Sequence, residues 1–390
     1  MPWQVLRLAS AQALFQTASV LVMTIGGLAG LAIADRPEFA TAPIASMFLG
    51  TALTTFPASM FMARAGRRAG FVFGSLLGVA GGLVAASGIW LHALPLLALG
   101  TFLVGCNQAF AQFYRFAAGE VVDEDYRPRA ISLVLAGGVA AALLGPWLGR
   151  VGGPLLEPLY TGSFLLLSAV SLLAAIVLLG VRVPKPIRQV GGGRPWFTIV
   201  TQPAYLVALF GAATGAGVMI LAMTATPIAM REHNHELGAV VGVIQFHVLG
   251  MFLPSFFTGA LITRFGVLRV MLAGVALLAA HIVTTWTGVG FTSFASALVL
   301  LGVGWNFLYV GGTTLLTSTY APAETSRAQA TNDMTIFVVG LISSFAAGAL
   351  LQGLGWQALN ALLLPWLGLA ALALIWLDAR PAPEGRTAPS

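Results

Sequence analysis

Charged side chains make up only 8% of the 390 residues, whereas 58% are hydrophobic. A soluble domain is roughly one quarter charged, so this balance excludes one and makes the bilayer the solvent. There is one cysteine, Cys106, which excludes an intramolecular disulfide framework. No glycine-rich loop runs into a lysine. Gly191-Gly192-Gly193 lacks both the Lys and the strand context of an ATP site. No nucleophile, base and orienting acid sit on a recognisable motif, so an enzyme is not expected. The apolar runs do not alternate, which argues against a barrel and for helices that satisfy their backbone within one segment. The first apolar run continues without a small-residue cleavage site, and is read as a helix rather than a signal peptide.

What is present is hydrophobic length. A spanning helix needs about 20 apolar residues, and twelve such segments can be drawn, at roughly 10–34, 41–63, 69–91, 94–118, 130–150, 160–182, 203–230, 239–262, 267–289, 291–318, 329–352 and 356–377. With an even number of spans both ends share a side. That side collects 15 of the 19 Lys and Arg, the other side holds only Arg36, Arg150 and Arg231, and Arg115 is left inside a span. Positive charge marks the cytoplasmic side, so both termini are expected in the cytoplasm, and the net charge of +6 speaks for topology rather than for a nucleic-acid partner.

The chain divides at Val183-Pro184-Lys185-Pro186 through Gly191-Gly192-Gly193-Arg194-Pro195, the longest polar, Pro/Gly-rich interior stretch. The expected organisation is a six-helix bundle over 1–183, a cytoplasmic linker over 184–200, a second six-helix bundle over 201–379 and a cytoplasmic tail over 380–390. The halves carry matching marks. Ala63-Arg64-Ala65-Gly66-Arg67-Arg68 follows the second span and Thr263-Arg264-Phe265-Gly266-Val267-Leu268-Arg269 the eighth. Gly105-Cys106-Asn107 in the fourth span is set against Gly304-Trp305-Asn306 in the tenth, and Arg129-Ala130 and Arg327-Ala328 open the spans that follow.

This pattern resembles the major facilitator superfamily over essentially the whole chain. The superfamily's loop between spans two and three typically carries an acid before its Arg. Here Ala63 and Thr263 take that position. The resemblance implies an all-α membrane protein of two pseudo-symmetric six-helix halves, a midplane site and alternating access.

Polar, sulfur-bearing and ionisable side chains inside spans are costly and need partners. Met219 and Met223 in the seventh span lie four residues apart, as do His247 and Met251 in the eighth, so each pair shares a helical face. Counted from the intervening loop at 1.5 Å per residue, Met223 and His247 both fall roughly 14–17 Å deep, near the midplane. Three thioethers and an imidazole suit Cu(I), although a Met pair at this spacing is also what ordinary helix packing produces. M-x-x-x-M followed by H-x-x-x-M is similar to the hallmark of the CcoA-type copper importers. That resemblance implies copper binding at these four residues, copper import for assembly of haem-copper oxidase, and a copper chaperone or oxidase assembly factor as partner. Cys106 lies outside both motif spans. Copper would be cargo, no cofactor is expected, and the chain is expected to be a monomer in the bacterial inner membrane.

Other residues invite a role. Met230, His233 and His235 stand at the mouth above these spans, where they could pass a metal inward or form a solvated turn. In the first half Met23, Met47, Asn107, Gln108, Gln112, Tyr114 and Arg115 are available to face a cavity. A cavity lined by Arg115, Asn107 and Asn306 would suit an organic anion, so a proton-coupled transporter of a small organic solute or drug is the alternative to copper. Asp333 could carry a proton or complement a helix N-terminus. Asp123-Glu124-Asp125 reads as a solvated loop and His281 as a packed, hydrogen-bonded histidine.

Overall fold

Long apolar segments in a solvent that offers no hydrogen bonds must close their backbone ladders locally. Accordingly, in the computed structural model, which describes residues 3–122, 127–183, 194–321 and 324–380, all regular structure among those residues is helical. The first half comprises α1 (Trp3–Ile33), α2 (Ala42–Ala65), α3 (Arg67–Trp90), a fourth span in two pieces, α4 (Leu94–Ala111) and α5 (Tyr114–Glu120), then α6 (Arg127–Gly152) and α7 (Thr161–Leu179). A short helix α8 (Trp196–Val200) precedes α9 (Pro203–Glu232). The eighth span is also broken: α10 (Leu237–Phe252) and α11 (Ser255–Phe265) meet at a 41° bend. Pro254 lies in the break and cannot donate to the ladder. Then come α12 (Val267–Thr285), α13 (Phe291–Thr317), α14 (Thr325–Ala361) and α15 (Leu364–Asp378).

Among the described residues nine helices are long and apolar enough to cross a membrane, or ten with the bent pair taken as one span. The run 327–378 divides at Gly355, whose φ of 76° is not helical. With α6, which reaches about 39 Å at 1.5 Å per residue, this gives the twelve expected segments. Of the expected linker, residues 184–193 lie outside the described residues, as do residues 381–390 of the tail and the acidic run Asp123-Glu124-Asp125.

Each half packs on itself, α1 on α6 and α3 on α4 and α7 in the first, α13 on α9, α10 and α12 in the second. The halves meet chiefly through α1 with α9, α2 with α14 and α6 with α10. The loop match of the two halves is structural as well: Gly66 and Gly266 share one backbone shape, φ 92° and ψ 159° against φ 89° and ψ 149°, open to glycine and poorly to other residues.

The Gly-x-Asn match is not structural. Close approaches fix the register. Gly50 abuts the Phe102 carbonyl as Gly250 abuts that of Val299. Gly105 abuts the Met47 carbonyl as Gly302 abuts that of His247, and Gly74 meets Phe110 as Gly274 meets Phe307. Equivalent positions are therefore 200 apart on α2 and α3 but 197 apart on α4, so the spatial counterpart of Asn107 is Gly304. Gly-x-Asn recurs at an offset of 199 and places its two asparagines on different helix faces.

The second half also holds α8. Arg194 donates from Nε and from its backbone N–H to Glu324 Oε1 at 2.9 and 2.7 Å, and Trp196 Nε1 donates to Thr331 at 3.0 Å. The hydrogen bonds from Arg194 hold the Glu324 carboxyl down at about 2.

Candidate functional site

A cavity of about 220 Å³ lies between the halves. From the first half α1 contributes Gln12, Gln16 and Met23, α2 contributes Met47 and Phe48, and α4 and α5 with the residues between them contribute Gln108, Gln112 and Arg115. From the second half come Met219 and Met223 on α9, Val248, Met251 and Phe252 on α10, Trp305 and Tyr309 on α13, and Asp333 and Phe337 on α14.

The cavity is closed on one side. All residues of α1 from Thr17 to Gly30 and of α9 from Val218 to Met230 are buried, and Gly27 packs against Ile228 across the interface. Toward the face where α1 begins and α15 ends, Gln12 and Gln16 become partly exposed. There the halves are joined across the cavity by Arg115, whose Nη1 donates to the Tyr309 hydroxyl at 3.3 Å and whose Nη2 is 3.9 Å from Asp333 Oδ2.

The proposed soft-ligand set is divided by this geometry. Met219, Met223 and Met251 line the cavity, but His247 does not. At 100° per residue Val248, Met251 and Phe252 span one face of α10 whose centre is about 90° away from His247. The imidazole is fully buried, with Nδ1 2.8 Å from the Leu298 carbonyl on α13. The mouth residues are likewise engaged elsewhere. His233 Nδ1 is 2.8 Å from the Ala229 carbonyl and His235 Nε2 2.8 Å from that of Val289, while Met230 is fully buried and does not line the cavity. Among the described residues no three His, Cys, Asp or Glu side chains form a group that could hold a metal ion.

Neither asparagine lines the cavity. Asn107 is buried where α4 meets Gly78 and Ser171. Asn306 binds the broken eighth span: its Nδ2 donates to the Met251 carbonyl at 2.8 Å and to Ser255 at 2.7 Å, and its Oδ1 accepts from Thr258 at 2.7 Å. Tyr114 is fully buried, edge-on to Phe71. Of the seven first-half candidates Met23, Met47, Gln108, Gln112 and Arg115 line the cavity. Asp333 lies beyond the first turn of α14, where a helix dipole acts weakly, and faces Arg115 instead. His281 is hydrogen-bonded at both nitrogens, to the Ala297 carbonyl and to Asn360.

The lining also includes residues that the sequence reading passed over. Gln12 and Gln16 on α1, and Trp305 and Tyr309 on α13, stand at i, i+4 spacing like the methionine pairs, and that spacing was the available signal. Trp305 and Tyr309 stack with centroids 4.8 Å apart and planes 13° apart, and Phe252 meets Trp305 edge-on at 6.3 Å.

The chain is 38% identical to the "Riboflavin transporter RfnT" of Brucella anthropi over 97% of its own length and 96% of that protein's. It is 29% identical to the "Uncharacterized MFS-type transporter YdeG" of Bacillus subtilis over 87% of this chain and 83% of the other. In structure it is similar to a mutant of the nucleoside transporter NupG, with a TM-score of 0.75 at 13% identity over 96% of this chain and 99% of that one. The first of these likenesses overturns copper import, the narrower resemblance to the CcoA-type importers, and copper with a chaperone or oxidase assembly factor as partners. The physical reason is the division of the ligand set: the imidazole that would make three thioethers a metal site faces α13 rather than the cavity. The family model of the Major Facilitator Superfamily matches residues 36–253 and 207–390, and with those matches, the relatives and the fold, this multi-pass membrane chain belongs to that superfamily of transporters.

Proposed function

We propose that this chain is a proton-coupled transporter of a small, uncharged, flat organic solute of the riboflavin kind, seated in the bacterial cytoplasmic membrane with both termini in the cytoplasm. The observation that carries this reading is 38% identity to a riboflavin transporter along 97% of the chain. The cavity chemistry supports it. Its lining holds one cation and one anion, Arg115 and Asp333, which offset one another, so an organic anion would meet no net positive field. The rest of the lining is apolar, aromatic or amide, as small-molecule pockets are. Asp333 is the proton carrier in this reading: neutralising it releases Arg115 and with it the link from α5 to α14. The orientation rests on the Lys and Arg distribution, and makes the open side of the cavity cytoplasmic.

The test is uptake of radiolabelled riboflavin into proteoliposomes, with and without an imposed proton gradient. The expected result is saturable, protein-dependent flux that the gradient accelerates. Flux no greater than that of empty liposomes sinks the substrate; saturable flux indifferent to the gradient sinks the proton coupling.

A further inference from the structure

The two walls of the cavity differ in chemistry, and the difference follows the division between the halves. The second half supplies an aromatic surface. Trp305 and Tyr309 lie parallel on one face of α13, the Trp305 edge is met by Phe252, and the Tyr309 hydroxyl accepts from Arg115, so both rings are held in orientation. Each is partly exposed on a helix whose neighbouring residues Gly304, Asn306 and Leu308 are buried. The indole Nε1–H of Trp305 has no hydrogen-bond acceptor in the protein among the described residues.

The first half supplies amides. Gln12 and Gln16 touch one another through a long 3.4 Å bond, Gln108 accepts from Thr51 at 3.3 Å, and the side chain of Gln112 has no partner among the described residues. Their remaining donors and acceptors line the cavity with hydrogen-bonding capacity left over. The three thioethers Met219, Met223 and Met251 border the same space, and thioether sulfur favours contact with aromatic rings. A flat heteroaromatic ring matches all three surfaces: its face suits the aromatic wall and the sulfurs, and its edge of ring nitrogens and carbonyls suits the amides. A polyhydroxyl chain matches only the amides.

Resting on the reading above, we infer that the ring system of the solute, rather than the chain attached to it, is what the cavity recognises, with Trp305 and Tyr309 as its stacking surface and Gln108 and Gln112 among the groups that read its edge. A solute held this way touches both halves at once, which ties its presence to their relative movement.

The experiment measures binding of radiolabelled riboflavin to the detergent-solubilised full chain, with two unlabelled competitors. Lumiflavin has the ring without the ribityl chain, and ribitol has the chain without the ring. Lumiflavin is expected to displace riboflavin with an affinity within about tenfold of riboflavin's own, equivalent to about 1.4 kcal/mol. Ribitol is expected not to displace it even in large excess. Trp305→Leu is expected to weaken riboflavin binding at least about tenfold, in keeping with ring stacking on an aromatic side chain, while Trp305→Phe retains most of the affinity. Displacement by ribitol without displacement by lumiflavin overturns the inference. So does wild-type affinity in a Trp305→Leu protein that melts like the parent. If that variant does not fold, the competition in the wild type decides alone. Failure of the wild type to bind or move riboflavin at all removes the substrate assignment and this inference with it; riboflavin flux that lumiflavin leaves unchanged removes only the inference.

Discussion

Arg115 is a guanidinium inside a membrane span, a placement that requires a partner or water. It has both a hydroxyl and a carboxylate from the other half, Tyr309 at 3.3 Å and Asp333 at 3.9 Å. Its own Nε is buried without a partner among the described residues, so the group is held by its two terminal nitrogens. Removing one member of such a pair leaves the other unpaired inside the bundle, whereas removing both does not. Arg115→Ala and Asp333→Asn are each expected to lower the melting temperature and abolish proton-driven accumulation. The double substitution is expected to recover part of the melting temperature without recovering accumulation. Independent, additive losses in thermal unfolding would contradict the pairing. His247 shows the opposite outcome for an intramembrane ionisable residue. Its Nδ1 meets the Leu298 carbonyl and therefore carries the proton, which makes the ring a tie between α10 and α13. Spacing placed His247 and Met251 on one side of a helix, but a cavity edge passing between two such residues separates them.

At the scale of elements, hydrophobic length located the helices, and the breaks depend on what holds them. The bend between α10 and α11 is fastened by Asn306, which bonds the Met251 carbonyl, Ser255 and Thr258 from a single side chain on α13. Asn306→Ala removes all three and leaves a buried carbonyl dependent on water. It is expected to destabilise the protein by about 1–3 kcal/mol, the cost of an unsatisfied buried polar group, read as a lower thermal midpoint with riboflavin affinity little changed. An unchanged midpoint would refute the fastening role. Hydrophobic length draws the eighth span as one segment, 239–262, across Pro254, and the side chain that fastens the break, Asn306, is 48 residues beyond the Thr258 it accepts from. The Gly-x-Asn recurrence suggested a shared role for Asn107 and Asn306. The asparagines are 199 apart where equivalent positions on α4 and α13 are 197 apart, and that two-residue difference turns them to different neighbours: one serves the bend while the other faces Gly78.

At the scale of the whole molecule, the side away from the termini is shut by backbone approaches that only small residues permit. A Cβ on Gly348 of α14 would come within 2.6 Å of the Glu38 carbonyl and 3.0 Å of Thr41 Oγ1, in the turn before α2 and at its start. Gly348→Val is therefore expected to force this side apart and favour the alternate state. In a Cys106→Ser background carrying Ala225→Cys on the buried stretch of α9, thiol labelling from the closed side should accelerate several-fold; an unchanged rate would show that this contact does not hold the closure. The twelve spans and their grouping in halves were determined by the sequence alone, because the bilayer requires continuous apolar length and excludes charge. Which face of each span looks inward was decided only by the tertiary structure. A membrane helix is apolar toward lipid and apolar toward its neighbours, so its hydropathy carries little record of direction, and an i, i+4 pair states that two side chains share a face without stating which way that face points. Packing of the two halves turned the thioethers, amides and aromatic rings to a common space and turned the imidazole away from it.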